Sequence, residues 1–239
     1  MKKRKWSWAH VLLVISILFF LTGLLSRSIA ADSKAKEREG YVVVVDAGHG
    51  GDDPGKIGIN GARESDVNLE IAKLTAKYLE AEDITVIMTR TDKEGLYDAD
   101  ASRKKVQDMK RRVALIDEKN PDLTVSIHQN SYPEEYVKGA QVFYYKDSTE
   151  GKELAEKIQN RLVIGLDPEN NRKIKANNTY YLLKKTGTPI VIVECGFLSN
   201  REEAEKLCDR NYQERLPARR YAEFPLHLPD IPYRLPPYR

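Results

Sequence analysis

The sequence predicts an α/β fold in which a mostly parallel sheet is sandwiched between helices in a single domain. Two observations carry this prediction. From about residue 41 to 216, short runs rich in β-branched and aromatic residues alternate with segments of helical apolar period. Three of those runs also end on a histidine or a glutamate. In open α/β sheets, ligand sites lie beyond the carboxyl ends of the strands.

The strands are expected at YVVVV (41–45), ITVIM (84–88), LTVSI (123–127), AQVFYY (140–145) and PIVIV (189–193). Between them, Val67, Ile71, Leu74 and Tyr78 recur at helical spacing. So do Val106, Met109, Val113 and Ile116, and then Leu154, Ile158 and Leu162. Each set predicts an amphipathic helix with one face on the sheet. A domain of this size can bury about 70 % of the surface its unfolded chain exposes, enough for a core without a disulfide framework. Cys195 and Cys208 are accordingly expected as buried free thiols.

The ends of the chain read differently. Residues 1–30 hold a basic start (Lys2, Lys3, Arg4, Lys5) and the apolar run VLLVISILFFLTGLL (11–25). This is the pattern of a signal peptide or an uncleaved signal anchor, and Ser28-Ile29-Ala30 offers a cleavage site. The rest of the chain is therefore expected outside the cytoplasmic membrane, in membrane contact only through residues 1–30. Residues 31–40 read as a linker. Residues 217–239 carry six prolines and read as a disordered tail.

The formal charge of +3 includes five basic residues and no acidic ones in residues 1–30, so the remainder is −2. A nearly neutral domain gives no electrostatic case for nucleic-acid binding.

Candidate chemistry gathers at three strand exits. VVVVDAGHGG ends near His49, LTVSIHQNS near His128 and PIVIVECGFLSN near Glu194. Two histidines delivered to one sheet edge suit a zinc ion, which in catalytic sites often takes a carboxylate as its third protein ligand. Glu64 is expected to supply it, from a loop (58–64) just before a helix starting at Ser65 or Asp66. Gly48, Gly50, Gly51 and Gly55 would let the backbone pass close to the ion. Asp66 and Glu70 read as solvated or helix-terminal acids.

Taken in order, DAGHGGDDPG, the Glu64 loop, MTRTD, SIHQNS and VECGFLSN resemble the zinc-dependent N-acetylmuramoyl-L-alanine amidases, the third amidase family of bacterial cell-wall hydrolases. The resemblance covers about residues 41–210. It implies one Zn²⁺ per chain held by His49, Glu64 and His128, with Glu194 as the catalytic carboxylate and peptidoglycan as the substrate. The chain is most similar to the sporulation and germination-specific branch found in endospore formers. That branch implies action on spore cortex, in the forespore intermembrane space, with a deacetylase completing the route to muramic δ-lactam.

The sequence departs from the family at Gln129, where a small residue is usual and a larger one could narrow the cleft or contact substrate. It departs again from Leu216 onward, where proline-rich sequence stands in place of an amphipathic helix. The rival readings are a non-catalytic wall-binding module, with Glu194 as a fourth ligand in a closed site, and a zinc peptidase acting on wall peptides. No substrate-binding residue is assigned from the sequence. Arg90 and Arg112 could meet substrate carboxylates but are expected as surface residues with no such role.

Overall fold

The computed structural model describes residues 40–216. The expected signal segment, nearly all of the linker and the proline-rich tail lie outside the described residues. In chain order the elements are β1 (Val42–Ala47), α1 (Glu64–Glu80), β2 (Thr85–Met88), α2 (Lys104–Lys119), β3 (Leu123–Asn130) and β4 (Gln141–Tyr145). They continue with α3 (Thr149–Gly165), β5 (Lys175–Asn177), α4 (Tyr181–Lys185), β6 (Ile190–Phe197), α5 (Arg201–Cys208) and α6 (Arg210–Arg215).

The six strands form one sheet in the order β2-β1-β3-β6-β4-β5. Every neighbouring pair is parallel except β4 against β6. The predicted fold class is therefore what the chain adopts.

Strand alternation sorts the valines onto two faces. Val43, Val45 and Ala47 of β1 join Val125, Ile127, Val191 and Val193 in a core that also holds Ile71 of α1 and Ile158 of α3. Val44, Ile190 and Ile192 point the other way, into a smaller core with Ile116 of α2 and Leu182 and Leu183 of α4. A sheet buried on both faces explains why its central strands read as unbroken apolar runs.

The central strands run further than those apolar runs. β1 continues through Asp46 to Ala47, β3 to Asn130 and β6 to Phe197. The extension carries Asp46, His128 and Glu194 inside the hydrogen-bonded ladder. In α2 the expected apolar stripe is only part of the buried face. Val106 is 47 % exposed, while Asp108, Arg112 and Ile116, one turn apart, are buried.

β5, α4, α5 and α6 carry no clear sequence period. The last two helices are fixed by caps instead: Asn200 accepts from the Glu203 amide and Asp209 from the Tyr212 amide, each at 2.9 Å. Leu216, just after α6, is buried. Both cysteines are free, but only Cys195 is buried; Cys208 is exposed, contrary to expectation. Among the described residues, no helix is long and apolar enough to cross a membrane.

Candidate metal centre and active site

Because β1, β3 and β6 are parallel neighbours, their carboxyl ends share one edge. His128 and Glu194 are register partners across β3 and β6. They follow Ser126 and Ile192 by two residues and so stand on the α2 and α4 face of the sheet. Just beyond them the register slips, with Asn130 opposite Phe197, so β6 carries one extra residue. Such a bulge bends the strand and ends regular pairing at the mouth of the site.

His49, Glu64 and His128 come together as the sequence predicts, their donor atoms lying within 4.8 Å of one another. Oε1 of Glu64 lies 3.0 Å from His128 Nδ1 and 3.3 Å from His49 Nε2. Glu64 is the first residue of α1 rather than the end of a loop. The amides of Glu64 and Ser65 donate to the carbonyls of Lys56 (2.9 Å) and Pro54 (3.0 Å), which fastens the preceding loop to the helix start. The other carboxylate oxygen of Glu64 accepts from the Lys56 amide at 2.8 Å.

Two glycines make room for this packing. A Cβ at Gly48 would overlap the His128 ring. At Gly55, whose φ is +66°, a Cβ would lie 2.5 Å from Glu64 Oε2 and 2.8 Å from His49 Cδ2. Gly50 and Gly51 approach Arg90, Glu94 and Tyr97 instead, away from the three donors.

Asp53, which the sequence reading did not single out, touches the other side of His49. Its Oδ2 is 2.9 Å from His49 Nδ1, which leaves Nε2 facing Glu64. Fixing one imidazole nitrogen with a carboxylate sets which nitrogen is free to bind a metal. Lys105 holds Asp53 from outside at 3.0 Å. The available signal was an acid four residues after the histidine within one glycine-rich turn.

The electrostatics separate the two glutamates. Burial opposes charge on Glu64, but hydrogen bonds and the field from His128 and His49 outweigh it and hold the carboxyl well below the usual carboxylate range. For Glu194, burial dominates and pushes the carboxyl up to about 7. Its Oε2 is buried without a hydrogen-bond partner, and the residue stands outside the converging donor group. A buried, unpartnered carboxylate beside three metal-type donors has the features of a proton-transfer group.

These side chains line a cleft of ≈ 440 Å³, together with Lys56, Lys105, Tyr180 and Tyr181. Gln129 is buried, and its amide nitrogen donates to Asn68 Oδ1 at 3.1 Å, an anchor against α1. Arg90 and Arg112, expected at the surface, are 6 % and 1 % exposed and lie beneath the site.

Known proteins share this arrangement of elements. The germination-specific N-acetylmuramoyl-L-alanine amidase of Bacillus subtilis (strain 168) is 34% identical over 218 residues, covering 90% of this chain and 91% of that protein. The solved CwlD amidase from Clostridioides difficile, in complex with the GerS lipoprotein, aligns with a TM-score of 0.72 at 38% identity. That alignment covers 74% of this chain and 92% of the other. The partner in that complex is a lipoprotein, whereas the sequence reading named a deacetylase. An N-acetylmuramoyl-L-alanine amidase from Clostridium difficile 630 aligns at 0.67 and 32% identity, over 75% of this chain and 92% of the other. The N-acetylmuramoyl-L-alanine amidase family itself matches residues 43–222, well over half of the chain. This chain therefore belongs to the N-acetylmuramoyl-L-alanine amidases.

Proposed function

We propose that the chain is a zinc-dependent hydrolase of the amide between N-acetylmuramic acid and L-alanine in peptidoglycan. The observation that carries this reading is the convergence of the His49, Glu64 and His128 donors within 4.8 Å at a cleft that also holds the unpartnered Glu194 carboxylate. Two imidazoles and one carboxylate fit zinc, and three protein ligands are the usual number in a catalytic zinc site. A zinc ion there would polarise the amide carbonyl and make water more acidic, towards a pKa of about 7.

The protein groups supply the rest. Asp53 and the tie from Lys56 hold His49 and Glu64 in place. Glu194 takes a proton from the attacking water and delivers it to the alanine nitrogen, which leaves poorly unless protonated. Glu194 lies outside the donor group, which favours a catalytic site over a closed structural one.

The similarity to a germination-specific amidase supports a role in spore cortex, where the freed muramic acid would pass to a deacetylase on the way to the δ-lactam. Residues 1–30 would carry the chain across the membrane, leaving it secreted or anchored there. The test is to incubate the full chain in detergent with purified peptidoglycan and count new N-terminal alanine, with zinc and with a chelator. Zinc-dependent release supports the reading. Release of other amino termini alone would make the protein a peptidase, and no release under either condition would remove the claim of catalysis.

A further inference from the structure

His49 reaches the cluster from a turn that is unfavourable on its own. Its φ is +61°, in the left-handed region that non-glycine residues seldom occupy. The turn takes the carbonyls of Ala47, Gly48 and His49 out of regular strand pairing while they remain beneath the cleft. Buried carbonyls need donors. Here two buried guanidinium groups provide them.

Arg112 of α2 donates from Nη1 to the Ala47 carbonyl at 2.7 Å and from Nη2 to the His49 carbonyl at 2.6 Å. The same group is fixed by Asp46 (Nη1, 2.6 Å) and by Asp108 (Nε, 2.6 Å; Nη2, 3.2 Å). Arg90 donates from Nε to the Ala47 carbonyl at 2.9 Å and from Nη2 to the Gly48 carbonyl at 3.1 Å. It also reaches the carbonyl of Ser65 at 2.7 Å, next to Glu64. The two arginines thus grip the backbone at one metal-type donor and beside another.

We propose that Arg112 is a positioning residue for the metal centre, holding His49 in its left-handed turn through the His49 carbonyl, with Arg90 tying that turn to the start of α1. The inference rests on the zinc reading above. A lysine at 112 keeps the charge for Asp46 and Asp108, but its three donors radiate from one nitrogen. It cannot span from Asp108 to the His49 carbonyl as the planar five-donor fork does.

The test measures the zinc dissociation constant of the full chain in detergent, by competition with a chromophoric chelator, for wild type and three variants. Arg112→Lys is expected to weaken zinc binding by about 10- to 100-fold. At saturating zinc its kcat on peptidoglycan falls while KM holds. Asp108→Asn, which loosens the guanidinium while preserving shape, shifts affinity in the same direction and stands in if Arg112→Lys fails to fold. Ile116→Val, one turn along α2, lowers the melting temperature without changing zinc affinity, separating positioning from general stability.

Unchanged zinc affinity in folded Arg112→Lys or Asp108→Asn overturns the proposal, as does an equal loss in Ile116→Val. A wild-type chain that takes up no zinc removes the metal reading itself, and this inference with it. That failure is visible in wild type alone.

Discussion

His128 and Glu194 face each other in register across β3 and β6, yet only His128 belongs to the group whose donor atoms converge. On the proposed mechanism, neighbouring positions on one sheet face therefore carry different work. Glu194→Gln removes the proposed proton acceptor and keeps the shape. It should retain its full zinc content while kcat for alanine release falls by about 10²- to 10⁴-fold. Metal analysis beside the hydrolysis assay checks both, and loss of zinc would place Glu194 among the ligands.

Glu64 is the hub of the cluster, contacting both imidazoles through one oxygen and the Lys56 amide through the other. Glu64→Ala should abolish stoichiometric zinc binding and loosen the 54–56 loop. Equilibrium dialysis reads the first effect and amide exchange at Lys56 the second. A zinc content equal to wild type would take Glu64 out of the ligand set.

Gly48 offers a cleaner probe, because its φ is not in the left-handed region and alanine is allowed by the backbone. The added methyl has no space except that of the His128 ring. Gly48→Ala should keep the far-ultraviolet dichroism of the parent and lose zinc affinity by about tenfold or more, since a displaced ligand is the expected route of accommodation. Wild-type affinity in this variant would mean that the ring moves without consequence.

Asp46, with Asp53 and Glu64, is a carboxyl whose pKa the fold depresses, so each contributes to acid sensitivity. Burial opposes the charge on Asp46, but Arg112, Ser126, His128 and Thr89 outweigh that and lower its pKa from 3.8 to about 2. A depressed carboxyl adds stability above its unfolded pKa, and that contribution is lost as the pH falls through the folded value. A shift of this size is worth on the order of 2 kcal/mol. Urea unfolding of the wild type should therefore lose stability as the pH drops from about 4 to 2. Asp46→Asn, which strands part of the Arg112 charge, should be weaker by about 3 kcal/mol near neutral pH, with the gap to wild type narrowing as the pH drops from about 4 to 2. A parallel pH curve for the two would refute the assignment.

Much of this site was legible because each main residue interrupts an apolar run. His49, His128 and Glu194 are conspicuous at the ends of valine- and isoleucine-rich strands, and parallel topology then brings those ends together. What escaped the reading was polar and buried. Apolar periodicity has no means of registering Asp108 and Arg112, which bury a helix face by pairing rather than by hydrophobicity. Strand β1 was underestimated for the same reason, since Asp46 looks like a loop residue until the hydrogen bond it accepts from Ser126 is seen. β5 spans three residues and α4 five, too short to display a period.

The three converging donors come from the exit of β1, the first turn of α1 and the end of β3, elements well separated along the chain. An ion held by all three would be a cross-link as well as a reagent. Both cysteines are free, so no disulfide braces these elements. A ligand that binds only the native state shifts the unfolding equilibrium by mass action. The durability of such an enzyme would then follow the local supply of metal, and the chelator that stops its chemistry would also shorten its life.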